Sequence, residues 1–398
     1  MADIKKEVEF LYDEVVALRR DFHMHPELGY EEYRTSQIVY DYLKELGLEV
    51  KKVAKTGVVG ILRGNTEGKT VLLRADMDAL PQEEKTGAVY QSMNNGIMHA
   101  CGHDGHTAML LVAAKILSKF KERIKGNVKF VFQPNEEEAG ALDMIHEGVL
   151  EDPKVDAAFG LHLWTPIESG KIGLSSGPVM AATEEFEVSI IGKAGHTSAP
   201  HTAIDPILAA TSVVQNLQSI QTREIDPLLP ITIMIGKIHG GSGRNIIADK
   251  VDIGGTIRFL FKNEEVEKDI LLKKFERVIK GTCEAFGVQY QLKYIPSNPS
   301  LMNDEKMMEY VKKGSLETYG TDQNVIAYRC LAGEDFAEFT HRVTSGFYFI
   351  GTGNVDKNTH YPHHHPMFNI DEETLKYGVE MHVRTVLHFL NDEQSLSV

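Results

Sequence analysis

Cysteine is scarce: Cys101, Cys283 and Cys330 are the only three in 398 residues. So few, and an odd number, exclude a disulfide framework and fit a reducing compartment. No apolar stretch approaches the roughly 18 residues of a membrane span. The opening segment, MADIKKEVEF, is charged and lacks the apolar centre of a secretory leader. A cytoplasmic protein with no membrane partner is therefore expected. Positive charge is also in deficit, with 42 Lys and Arg against 57 Asp and Glu, a net charge of −15. That surface repels phosphate backbones, and no long basic run reverses it, so nucleic acid is not an expected partner. What remains is ordinary globular composition, 42% hydrophobic and 25% charged. The one excess is histidine, 17 residues, many of them clustered with Cys, Asp or Glu.

At roughly 100–200 residues per domain, this length suggests two or three domains. Ile4, Val8, Leu11, Val15, Leu18 and Phe22 form one apolar stripe and predict an N-terminal helix. A second helix is expected over 31–46, stopped by Gly47. Strands VVGIL (58–62) and VLLRADMDALP (from 71) precede a helix from 104, a strand NVKFVFQP (127–134), a helix EEEAGALDMIHEG and a strand AAFGLHLW (157–164). Apolar strands alternating with helices predict an α/β fold with a mostly parallel sheet flanked by helices. Near 182 the pattern changes to strand TEEFEVSIIG, helix 203–221, strands ITIMIGKI and DKVDIGGTIRFLF, helix 264–286 and strand VQYQLKYI. This β-α-β-β-α-β order predicts a smaller α+β, ferredoxin-like insertion. After Pro296 and Pro299 the alternation resumes: helix 304–319, strand VIAYR, helix from 334, strand GFYFIG, helix 371–390. The expected parts are thus 1–181, an inserted 182–296, and 297–398.

Five clusters can carry chemistry. MHACGHDGH (98–106) places Cys101, His103, Asp104 and His106 just before a helix. Thiolate and imidazole both ligate first-row metals, and Gly102 permits the bend that a C-x-H pair needs. QPNEEE (133–138) follows a strand. Neighbours in extended backbone point to opposite sides, so Glu136 and Glu137 could serve a metal and a water beside it. His162 stands in FGLHLW, His363, His364 and His365 stand in YPHHHPMF, and RADMDALP carries Asp76 and Asp78. Each cluster also has an ordinary reading: a buried thiol, an acidic first helix turn, an edge histidine, a surface loop, a tight turn. In combination, three of them fall at or near the carboxyl end of a strand, where sites assemble in parallel sheets. The donors suffice for two divalent ions.

RADMDALP, MHACGHDGHTAMLL, FQPNEE, GLHLW, GKAGHTSAPH, the GRNII step, GEDF and HHHPMFNIDE occur in this order. In that they resemble a family of metal-dependent amidohydrolases. It includes bacterial aminoacylases, hippurate hydrolase, plant hydrolases of auxin–amino-acid conjugates and related carboxypeptidases. The resemblance covers nearly the whole chain. It implies a dinuclear site with Cys101, His103, Glu137, His162 and His364 as ligands, because the family's ligand histidine stands two residues before the proline, here Pro366. It implies Glu136 as general base and Asp78 as the acid supporting the metal-site geometry. His196 is implied as a residue of the inserted lid and dimerisation domain that stabilises the oxyanion. Asn245 and Arg258 are implied near the substrate carboxylate. Zn, Mn, Co or Ni would suit the donors. The implied substrate is a small N-acyl amino acid, and the implied assembly is a homo-dimer or tetramer. A metallo-carboxypeptidase or dipeptidase of the same family is the alternative. One departure from the family pattern is EEEAGA, which is one residue short and has Glu138 where glycine is common.

Overall fold

The computed structural model describes residues 2–392. The chain divides into two compact units. The larger holds the residues up to Gly177, Met302–Arg329 and those from Asp335 on; the smaller holds Pro178–Leu301 and Cys330–Glu334.

The larger unit opens with α1 (Ala2–Phe10) and α2 (Tyr12–Met24). The expected single helix is interrupted at Leu11, whose N–H still reaches Glu7 O at 3.0 Å, and the apolar stripe stays buried across the break except for half-buried Leu18. Next come α3 (Tyr33–Glu45), β1 (Glu49–Val53), β2 (Gly57–Arg63) and β3 (Thr66–Asp76). They are followed by α4 (His103–Lys119), β4 (Lys125–Gln133), α5 (Ala141–His146), β5 (Ala157–Glu168) and β6 (Ile172–Leu174). Two expectations need correction here. EEEAGALDMIHEG is not one helix: Glu136–Glu138 make a 3-10 turn, and α5 starts only at Ala141. Asn135 and Ala139 flank that turn at φ 57° and 64°, values no α-helix contains. β5 also does not stop at Trp164 but runs on to Glu168, because its neighbouring strand continues to pair with it.

The smaller unit holds β7 (Ala182–Ile191), α6 (Pro206–Ser219), β8 (Ile231–Gly240), β9 (Lys250–Phe259), α7 (Glu264–Phe286) and β10 (Gln289–Pro296). Its antiparallel sheet has the order β8-β9-β7-β10. Phe186, Val188 and Ile190 alternate inward along β7 and meet Val213 and Leu217 of α6 and Phe275 and Ile279 of α7 in one apolar core.

The larger unit closes with α8 (Glu305–Tyr319), β11 (Val325–Ala327), β12 (Ser345–Gly353) and α9 (Leu375–Leu390). The helix expected from 334 shrinks to Ala337–Thr340. The Asp335 carboxylate is instead taken by Arg74, Gln133 and the Ala141 N–H. The sheet order is β1-β2-β4-β3-β5-β12-β6-β11. β4, β3, β5 and β12 run parallel at its centre, while β1, β2 and the β12/β6 pair are antiparallel. Val71, Leu73, Phe130 and Phe159 on the central strands and Leu110, Val112 and Ile116 of α4 are buried in one core. Leu73 is fully buried mid-strand. Leu73→Ala is expected to cost about 2–5 kcal/mol of unfolding free energy, read by urea denaturation, with the fold retained.

Candidate metal centre

The carboxyl ends of β3 and β4 and the adjoining loops deliver the donors. Past the end of β3, Asp78 is buried and holds two neighbours. Its carbonyl accepts the Nδ1–H of His103 at 2.9 Å, and its Oδ2 accepts the Glu137 N–H at 3.0 Å. The loop before α4 turns at Gly102, whose φ of 94° disfavours any side chain there. That turn points Cys101 and His103 to the same place. His162, within β5, donates from Nδ1 to its neighbour Leu163 O at 2.8 Å. Its Nε2 lone pair therefore faces the Cys101 sulfur, 3.5 Å away. His364, at φ 62°, brings its Nε2 to 3.3 Å from Glu137 Oε1.

Four overlapping donor groups result among the described residues of the larger unit, each with ligand atoms within 4.8 Å of one another: Cys101, His103 and His162; Cys101, Glu137 and His364; His103, Glu136 and Glu137; Asp76, His103 and His106. His103 Nε2 and Glu137 Oε1 are buried without a hydrogen-bond partner among the described residues. Burial pushes the Cys101 thiol well above its usual range, and the Glu137 charge adds to that. Burial, with His106 and His363 nearby, holds His162 well below the imidazole range, so it stays neutral with a free lone pair. An unsatisfied carboxylate oxygen, a destabilised thiolate and the open nitrogen of neutral His162 suit divalent cations. At His103, where burial is outweighed by Asp76 and Cys101 and the ring is held well above the usual imidazole range, a cation would take the place of a proton.

His106, His363 and His365, the neighbours of these donors in sequence, are engaged elsewhere. His106 Nδ1 bonds Asp76 Oδ1 at 2.6 Å, and its Nε2 accepts the Leu163 N–H at 2.9 Å, which leaves no lone pair for an ion. His363 donates from Nε2 to Leu163 O at 2.9 Å and stacks on Trp164 with centroids 4.3 Å apart. His365 Nδ1 accepts the Met367 N–H at 3.0 Å. The run of three histidines thus splits into three tasks. Asp76, completely buried, pairs with Arg74 at 2.5 Å. Glu136 Oε2 lies 3.9 Å from His103 Nε2.

The remaining candidates belong to the smaller unit. His196 is exposed, and its Nδ1 accepts the Ser198 N–H at 3.1 Å. Asn245 is also exposed and lies beside Ile246, the residue paired with His196 in a two-stranded ribbon. Arg258 on β9 donates from Nη1 to Leu331 O at 3.2 Å. A cavity of about 470 Å³ elsewhere in the larger unit, lined by Phe120, Tyr310 and Leu387, includes none of these residues.

The sequence pattern of peptidase family M20/M25/M40 matches residues 72–388. The chain belongs to this family. It is a hydrolase of amide bonds. Thermostable carboxypeptidase 1 of Saccharolobus solfataricus is 38% identical over 98% of both chains. The N-acyl-L-amino acid amidohydrolase of Geobacillus stearothermophilus is 43% identical over 73% of this chain and 78% of its own. Among solved structures, a Bacillus subtilis protein described as a dinuclear metal binding peptidase of the M20 family is 32% identical. It superposes with a TM-score of 0.83, covering 96% of this chain and 99% of its own. No described helix of this M20 chain is long and apolar enough to cross a membrane.

Sequence reasoning overlooked Glu32, which no metal-like spacing flags. It is fully buried, accepting the Asn135 N–H at 2.9 Å and the Thr56 hydroxyl at 2.6 Å, and so steadies the turn bearing Glu136 and Glu137. Burial raises its carboxyl from 4.5 to about 7. Its contribution to stability is therefore full below the unfolded value and lost as pH rises through the folded one. Urea unfolding of the metal-free protein, compared with Glu32→Gln between pH 5 and 8, isolates this contribution from the opposite slope of the buried neutral histidines. Glu32→Gln should remove from the parent's pH slope a fall of up to about 3 kcal/mol. An unchanged slope would contradict the assignment.

Proposed function

We propose that this protein hydrolyses the amide bond of N-acyl-L-amino acids at a two-metal centre. The observation that carries the reading is the convergence of Cys101, His103, His162, Glu137 and His364, with Glu136 beside them and two donor atoms left open. These five would hold two ions, Zn, Mn, Co or Ni. When bound, such ions lower the pKa of water and polarise the acyl carbonyl.

Glu136 takes a proton from the attacking water and passes it to the departing amine nitrogen. Its side chain is only 10% exposed, which limits competition from bulk water. Asp78 fixes the tautomer of His103 by occupying Nδ1, so that Nε2 is the open nitrogen. The Ser198 N–H occupies His196 Nδ1, so Nε2 is the nitrogen left to donate to an oxyanion. Asn245 and Arg258 would bind the carboxylate of the amino-acid half. The same reading takes 1–181 and 297–398 as the catalytic domain. It takes 182–296 as lid and dimerisation domain of a cytoplasmic dimer or tetramer.

A carboxypeptidase or dipeptidase is the second reading, favoured by the full-length similarity to thermostable carboxypeptidase 1. A panel of N-acetyl and N-benzoyl amino acids beside dipeptides separates the two. Higher kcat/KM on the acyl amino acids is expected, and the opposite ranking would replace the first reading by the second. Glu136→Gln should reduce kcat by at least about 10²–10⁴-fold at parental metal content. Cys101→Ala should lose bound metal by elemental analysis, and full occupancy would refute its role as a ligand.

A further inference from the structure

We propose that Arg19 and His23 are positioning residues that hold the Cys101–His103 loop in its ligand-binding shape before any ion arrives. The proposal rests on the reading of Cys101, His103 and His364 as ligands. Neither Arg19 nor His23 belongs to the donor groups. Both lie on α2, one turn apart, so they share a helix face. Both are buried, with 0% and 1% exposure.

They meet at Asp104, the residue after His103 and the second of α4. Asp104 Oδ2 accepts Arg19 Nε–H at 2.7 Å and faces His23 Nδ1 at 2.8 Å. Asp104 is buried with 0% side-chain exposure. A carboxylate there is stable only while those partners remain. The remaining donors of the pair reach two further loops. Arg19 Nη1 bonds Glu372 at 3.2 Å, and its Nη2 bonds Asn369 Oδ1 at 3.0 Å. His23 Nε2 faces Glu84 Oε1 at 3.2 Å. Glu84 Oε2 in turn accepts the Ser92 N–H at 2.6 Å. The next residue, Lys85, donates its N–H to Pro366 O at 2.8 Å, two residues from His364.

One face of α2 therefore ties together the loop with Cys101 and His103, the segment around 84–92 and the loop with His364. Those stretches are far apart in sequence, and nothing local fixes their relative placement. Without the ties, ion binding would also have to order the loops, and that cost would appear as weaker affinity. Once the ions are bound they hold the loops themselves, so turnover at saturating metal should change little.

The test titrates the metal-stripped full-length chain with Zn²⁺ against a competing chromophoric chelator. Arg19→Met, Arg19→Lys, His23→Gln and Cys101→Ala are compared with the parent, with Arg34→Met, which breaks an exposed pair with Asp21, as control. Arg19→Met and His23→Gln should bind Zn²⁺ about ten- to hundred-fold more weakly. KM and kcat at saturating Zn²⁺ should stay within about threefold of the parent, as expected for a change in loop order rather than in chemistry. Arg19→Lys should recover part of the affinity, because it restores the charge but not the fork. Circular dichroism of the stripped proteins reports folding. Should Arg19→Met fail to fold, His23→Gln decides. Parental Zn²⁺ affinity in the folded variants overturns the proposal while leaving the site reading intact, provided Cys101→Ala has lost its ion. Parental affinity in Cys101→Ala removes the site reading and the proposal with it.

Discussion

The Cys101 sulfur and the Glu137 carboxylate face each other, and burial together with the Glu137 charge makes a thiolate at Cys101 harder to hold. The sulfur and the Glu137 Oε1 atom are shielded from water, and neighbouring Glu136 adds a third acid. Such an arrangement is costly unless positive charge enters it. The smaller features of the larger unit can be read as answers to this conflict: which nitrogens are left open, which turns are strained, which acids are already paired. Asp76 illustrates the last. It stands close to the same cluster, but Arg74 and His106 take up its oxygens, so it lends charge without competing as a donor.

Two stretches of backbone carry much of the geometry. The Leu163 main chain gives its N–H to His106 and accepts from both His162 and His363 at its oxygen. The backbone of one residue thereby sets the protonation pattern of three imidazoles and, of these, leaves His162 with an open nitrogen toward the sulfur. Asp78 does the equivalent for His103 and Glu137, through its carbonyl and its carboxylate. Because β3 and β5 are adjacent parallel strands of a packed sheet, these anchors cannot drift apart without breaking the core.

Glu136 and Glu137 depend on a turn that is locally unfavourable. Asn135 and Ala139 both lie in the left-handed region, at a cost of order 1–3 kcal/mol each for residues other than glycine. Glu32 secures the first of them, and Asp335 anchors the start of α5 just beyond the second. The absence of glycine at Glu138 is harmless to this geometry, since Glu138 points into solvent and the positive φ values fall on its neighbours.

The sequence by itself specified what period and residue chemistry can encode. The apolar stripe from Ile4 to Phe22, the β-α-β-β-α-β order of the smaller unit and the run of apolar strands follow from side chains that must reach a core at spacings of 3.6 or 2. Clusters such as ACGHDGH and HHHP announce metal chemistry because few other demands gather those donors. Their sorting lay outside its reach. Nothing local distinguishes His364 from His363, or His103 from His106, since each difference is made by one hydrogen bond to a residue 25–200 positions away, whereas His365 is occupied locally by the Met367 N–H. The acidic run looked helical because propensity is local, whereas Glu32 and Asp335, remote in sequence, help hold it as a turn. Tertiary structure alone decided which lone pairs stay free, because a lone pair is free only when no neighbour in space has claimed it.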